Sequence, residues 1–201
     1  DSITIHLRED RRHINDVDLL KIIKNKKIPT NLEMAANEEM LKIAIKLKPN
    51  FVCIVPEKRR EITTEGGLNL KKNFSKIKRI IQKLNNFKIR TSLFIDPNIE
   101  DIKLSKKIGT NCVELHTGKL SLKVKNKKNY LNEIKKIKKC SELANKLNIE
   151  VHAGHGMDYK TAKILKKVKF IKEFNIGHFI IGESVLFGMN KVIKNFKKII
   201  R

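Results

Sequence analysis

The sequence predicts an α/β chain, a (β/α)8 TIM barrel running as a single domain over residues 1–201. Short β-rich runs alternate with amphipathic helical stretches from end to end. The runs are continuously apolar in the middle, as strands packed on both faces are. A polar residue or glycine closes nearly every run, and in such barrels the chemistry sits at the C-terminal ends of the strands. An open sheet has one crevice, at its switch point, and would leave most of those ends idle. A closed ring uses them all. Seven runs are legible, so the expectation is that the eighth, first in the barrel, lies before Asp1 and that the chain is N-terminally incomplete.

The elements follow in order. ITIHL (3–7) is the first strand. Asn15 or Asp16 caps a helix from Val17 to Lys26. TNLEMA (30–35) follows, then a helix opened by Asn37 with Glu38 and Glu39 in its first turn and closed by Pro49. FVCIVP (51–56) leads into the long charged loop PEKRREITTEGGLN (56–69). Thr63 and Thr64 offer hydroxyls there, and Gly66 and Gly67 a hinge, which suits either a lid over a small substrate or an ordinary surface loop. RTSLFI (90–95) and CVELHT (112–117) are the next strands. Leu131, Ile134, Ile137, Leu143 and Leu147 form one apolar stripe of a helix over 131–147. EVHAG (150–154) and EFNIG (173–177) complete the set, with HFIIG as a competing position for the last strand. Val192, Phe196, Ile199 and Ile200 mark a final helix.

Composition limits the function classes. The formal net charge is +24, which invites a nucleic-acid reading. Of the 45 basic residues, 37 are lysines, spread along the helices beside Ile and Asn. Aromatics are only 5%, with no Trp to stack on bases. Solvated helix faces explain that charge better than a nucleic-acid groove. No apolar run approaches the ~18 residues of a membrane helix. Cys53, Cys112 and Cys140 lack metal-ligand spacing and read as buried thiols of a reducing compartment.

The candidate chemistry lies at the strand ends. All six histidines fall at such ends or just beyond: His6, His13, His116, His152, His155 and His178. Imidazole exchanges protons near neutral pH. No HExxH or CxxC spacing supports a zinc site, so no metal is expected. Glu33 and Glu114 are acids in otherwise apolar strands. Each is either satisfied by a Lys or Arg, or aimed into the barrel mouth with a raised pKa. HAGHG (152–156) and NIGH (175–178) offer backbone N–H groups for an anion, where barrels often bind phosphate. Arg8, Arg11, Arg12, Arg59 and Arg60 concentrate arginine, the better phosphate fork, in two short stretches.

The motifs ITIHLREDRRHI, NLEMAANEEML, FVCIVPEKRREITTEGGLN, SLFIDPN, VELHTG, AGHG and NIGH together resemble the pyridoxine 5'-phosphate synthase family, in the family's order and over essentially the whole chain. The resemblance implies a cofactor-free condensation of 1-deoxyxylulose 5-phosphate with 3-amino-2-oxopropyl phosphate by a transferase-class enzyme. It implies His6 and Glu33 as general bases, His155 as general acid and Glu114 as transition-state stabiliser. It places Arg8 and His13 at the deoxyxylulose phosphate, and Thr63, Gly156, Gly177 and His178 at the amino ketone phosphate. A cytoplasmic homo-octamer, with neither nucleic acid nor membrane as partner, is also implied. His152 and Glu183 stand where the family often has Asn and a small or basic residue. The competing readings are another phosphate-binding barrel, an aldolase or isomerase, and, last, a basic nucleic-acid-binding protein. A Schiff-base aldolase needs a lysine at an inward strand end, and no clear candidate is present.

Overall fold

The computed structural model of the chain describes residues 1–25, 27–57 and 66–200. Seven parallel strands follow one another in sequence order: β1 (Ile3–His6), β2 (Thr30–Met34), β3 (Phe51–Ile54), β4 (Arg90–Ile95), β5 (Cys112–His116), β6 (Glu150–Gly154) and β7 (Ile171–Asn175). The sheet curls so far that its two ends meet through side chains: Thr4 Oγ1 donates to Asn175 Oδ1 at 3.2 Å. It is a TIM-barrel-like wall of β/α units.

Helices cover the outside: α1 (Asp16–Lys24), α2 (Glu38–Leu47), α3 (Leu70–Asn86), α4 (Ile99–Ile108), α5 (Gly118–Lys125), α6 (Leu131–Lys146), α7 (Tyr159–Leu165), α8 (His178–Phe187) and α9 (Met189–Ile200). Asparagines start four of them. Asn15 accepts from the N–H groups of Val17 and Asp18, and Asp18 returns the bond to complete a capping box. Asn37, Asn69 and Asn98 accept from Met40, Lys72 and Glu100 in the same way.

Because successive side chains alternate across a strand, each strand sends one set outward and one inward. The outward set, including Leu32, Met34, Val52, Ile54, Leu93, Ile95, Val113, Leu115, Val151 and Ala153, packs against the helices in one continuous apolar core. On the helix side Leu70, Ile77, Ile80, Ile81 and Leu84 of α3 are fully buried. The inward set is different in kind: apart from a small cluster of Cys53, Val55 and Phe94, it is polar and ionisable. The core thus lies between sheet and helices, which frees the lumen for chemistry.

The last strand lies at 171–175 rather than 173–177, and HFIIG is the start of α8 rather than a strand. Pairing of β6 with β7 slips between Val151 and His152, and the positive φ of Phe170 turns the chain into β7 early. Cys53, Cys112 and Cys140 are free and buried. Among the described residues no helix is long and apolar enough to cross a membrane.

Replacing Ile80, fully buried between α3 and the sheet, by Ala is expected to cost about 2–5 kcal/mol through lost burial and a residual cavity. Urea unfolding measures it, and a loss under ~1 kcal/mol would mean that α3 does not seal the core as described.

Candidate active site

Strand register brings the first group together. His6 and Glu33 are paired neighbours at the ends of β1 and β2. His6 Nδ1 stands 3.6 Å from Glu33 Oε2, and its Nε2 lies 2.9 Å from Glu57 Oε1. Burial pushes the Glu57 carboxyl up, but the hydrogen bonds from His6 and the Glu9 N–H outweigh it and hold it below its ordinary value. An ionised Glu57 fixes a proton on His6 Nε2 and leaves Nδ1 free to accept one. Glu33 keeps 22% of its side chain open to the mouth. Burial in the protein wall nevertheless raises its pKa, partly offset by His6.

Glu114 points into the lumen from β5 and is only 3% exposed. Burial first, and then repulsion from Glu33, push its pKa well above the ordinary carboxylate range. Asn175 Nδ2 donates to its Oε2 at 2.8 Å, and Cys53 Sγ approaches the same oxygen at 3.9 Å. The next strand has to be bare at this point. A Cβ on Gly154 would fall 1.7 Å from Glu114 Oε1, so no side chain fits there while the carboxyl holds its place. The negative charge of Glu33 adds to burial in making the Glu114 proton harder to remove, which suits Glu114 to a donor's role.

The other side of the mouth holds imidazoles. The rings of His116 and His155 lie 4.9 Å apart, with Phe94 edge-on to both. His116 Nδ1 lies 3.1 Å from Asp96 Oδ1. That hydrogen bond, together with the Gly67 N–H, outweighs burial and keeps Asp96 below its ordinary pKa. His155 sits at a positive φ of 75°. Its turn is clamped by Thr117, whose Oγ1 donates to the carbonyls of Gly154 and His155 at 2.8 and 2.7 Å. Burial, followed by the neighbouring His116 and His178, drives the His155 pKa down to about 4. Its ring is therefore neutral at neutral pH.

Comparison with known proteins places the chain in a family. A family model described as "Pyridoxal phosphate biosynthesis protein PdxJ" matches residues 1–201. The chain belongs to the PdxJ family. It is 65% identical over 198 residues to the pyridoxine 5'-phosphate synthase of Pelagibacter ubique (strain HTCC1062), covering 98% of this chain and 83% of that protein. It is 49% identical over 200 residues to the protein of the same name from Ehrlichia canis (strain Jake), covering 100% of this chain and 82% of the other. Among solved structures, a monomeric form of phosphoribosylanthranilate isomerase from Thermotoga maritima superposes with a TM-score of 0.62 at 12% identity, over 98% of this chain and 88% of that one. The tryptophan synthase A-subunit from Pyrococcus furiosus gives 0.61 at 16%, over 94% and 75%. At such identities these two show the barrel fold alone.

Set against the PdxJ motifs, His6, Glu33, Glu114 and His155 all face the lumen or its mouth. Arg8 is buried and lines a cleft with Glu9, Asp10 and Glu57. His13 stays exposed on the segment before α1. Arg12 pairs with Asp10, and Arg11 with Asp16 and Glu39, so the charged run after β1 is largely satisfied within the chain. Gly156, with φ of 76°, packs against Gly118 and Ser121 at the start of α5. Gly177 caps α8 and His178 begins it, both exposed. Thr63 lies outside the described residues, as do Lys58, Arg59, Arg60 and Thr64. His152 is not at a strand end; it points from mid-β6 toward Glu150 and Glu173, away from the mouth.

The candidate site also contains two groups, Asn175 and Thr117, that the sequence did not single out for it. Asn175 holds Glu114, and Thr117 holds the His155 turn. His116 was visible at a strand end, but Asp96, its partner, comes from another strand at no fixed spacing, as does Glu57, the partner of His6. The TG of VELHTG was the one local sign of Thr117.

The ring of His155 is expected to titrate near pH 4. Its folded pKa lies below the 6.5 of a free imidazole, so the stability it confers is full above pH 6.5 and falls away as the pH drops through 4. NMR titration of the ring measures this, and a midpoint near 6.5 would show His155 to be solvated and unclustered.

Proposed function

We propose that this PdxJ-family chain condenses 1-deoxyxylulose 5-phosphate with 3-amino-2-oxopropyl phosphate to pyridoxine 5'-phosphate, inorganic phosphate and water. The observation that carries the reading is the meeting of His6, Glu33, Glu114 and His155 in one lumen, with opposed proton affinities. The name of the relatives supports the product. The substrates follow from the motif resemblance.

Such a condensation is a series of proton transfers. An amine attacks a ketone, the carbinolamine loses water, a carbon acid is deprotonated, phosphate leaves and the ring closes. His6, with its proton anchored toward Glu57, accepts at Nδ1. Glu33 beside it is a base whose raised pKa brings it nearer to neutral pH, where it is more effective than an ordinary carboxylate. Glu114, its pKa raised well above the ordinary carboxylate range, is suited to donate a hydrogen bond to oxygen that gains charge, and does so without solvent reorganisation.

His155 needs the substrate to become an acid. Phosphate dianions placed at Gly156, Gly177 and His178 would favour the imidazolium and raise its pKa from about 4. The proton is then delivered only when the site is loaded. Arg8 supplies the cation for the other phosphate. The class of reaction is a ring-forming transfer, and acid–base groups on the protein suffice for each step.

A lysine-dependent aldolase is disfavoured by the strands themselves. Lys172 is the one lysine within β1–β7, and it is exposed.

Supplying both substrates to the purified protein at neutral pH is expected to yield pyridoxine 5'-phosphate, detected by mass and absorbance. A folded protein that makes none overturns the proposal. Glu33→Gln is expected to lower kcat by about 10²–10⁴-fold, the usual worth of a general base, while binding of the phosphorylated substrates is retained. Unchanged turnover in that variant would assign the base elsewhere.

A further inference from the structure

Below the mouth, on the side of the barrel where the strands begin, a second ionisable cluster takes no part in the chemistry above. Cys112 of β5 and Glu150 of β6 are Cα partners, and His152 follows Glu150 on the same face. Their donor atoms all lie within 4.8 Å of one another. Cys112 is 2% exposed and His152 6%. Thiol and imidazole are thus buried together, with the Glu150 carboxylate, 36% exposed, on their solvent side.

The surroundings orient these donors. His152 Nε2 faces Glu150 Oε1 at 2.9 Å, while its other ring nitrogen, Nδ1, faces Glu173 Oε1 at 3.6 Å. Arg90 holds the second oxygen of Glu150 at 2.9 Å. A carboxylate behind a histidine's far nitrogen is the usual outer partner of a metal-bound imidazole, fixing its tautomer and raising its basicity. Arg90 holds Oε2, so Oε1, hydrogen-bonded to His152, is the Glu150 oxygen on the cluster side. The positive charge of Arg90 opposes a cation there, and burial pushes the Cys112 thiol up to about 12, so the metal itself has to displace that proton against two flanking carboxylates.

We propose that Cys112, Glu150 and His152 form a binding site for a zinc-type divalent ion, with Glu173 as the outer partner of His152. Sulfur, nitrogen and oxygen donors suit zinc, with a water completing its four ligands, and do not suit magnesium or calcium, which take oxygen alone. Binding releases the Cys112 thiol proton to solvent and replaces the His152–Glu150 hydrogen bond with two bonds to the metal. The ion would join β5 to β6 beside the point where pairing with β7 slips, at Val151/His152. Its role there is to brace the barrel floor. It does not depend on the proposed reaction.

The test titrates the whole metal-free protein with cobalt(II), then displaces it with zinc under a competing chelator. A near-ultraviolet sulfur-to-cobalt charge-transfer band saturating at one ion per chain is expected. Cys112→Ser should abolish the band, and His152→Asn should weaken zinc binding at least ~10-fold. Glu173→Gln should weaken it by about 10–100-fold, the usual worth of an outer partner. Circular dichroism of each metal-free variant separates loss of the site from loss of the fold. If Cys112→Ser does not fold, the His152→Asn and Glu173→Gln affinities decide. Absence of the band in the parent protein, its persistence in folded Cys112→Ser, or unchanged zinc affinity in folded His152→Asn overturns the site. None of these results bears on whether pyridoxine 5'-phosphate is made.

Discussion

A carboxyl group with almost no water around it must be held by protein, and the arrangement of this barrel follows from how Glu114 is held. Its carboxyl occupies space that the next strand vacates at Gly154. It takes one firm hydrogen bond, from Asn175 on the last strand. That strand also meets Thr4 of the first, so the position of the acid and the curl of the sheet are linked. Residues far apart along the chain face one lumen because the wall bends enough to bring β7 back toward β1.

This arrangement costs stability. Glu33 and Glu114 have raised pKa values, so the folded chain binds their protons more tightly than the unfolded chain does. Their contribution is favourable at low pH and is lost as the pH rises through the folded values. His155 has the opposite sign. An apolar lumen would avoid both penalties, and the apolar core between sheet and helices is extensive enough to carry them. Strained or costly groups persist where the surrounding structure over-determines them, most often at functional sites.

Much of the fold was legible in the sequence, because strand identity depends on local apolar runs and helix starts on local caps. Asn15 and Asn37 begin helices as expected. The last strand was displaced because IKEFN and EFNIG are equally plausible runs, and the turn that decides between them rests on the backbone of Phe170. HFIIG is apolar enough for a strand, but the chain has already turned into α8. In the site, the approach of His6 to Glu33 was readable from two adjacent strand ends. The grip of Thr117 on the His155 turn and of Asn175 on Glu114 was not, since those bonds join residues 38 and 61 positions apart. The floor cluster escaped notice for the same reason: its donors belong to two strands, and a metal motif is recognised in sequence only when its ligands share a loop or a helix.

The central claim is that burial raises the pKa of Glu33, and that burial together with repulsion from Glu33 raises that of Glu114 further. Titration of the two side-chain carboxyl carbons by NMR, with Glu33→Gln and Glu114→Gln to assign them, tests it most directly. The account predicts that both lose their protons above the ordinary value of 4.5, Glu114 at the higher pH, and that Glu33→Gln lowers the Glu114 midpoint. Two independent midpoints near 4.5 would contradict it.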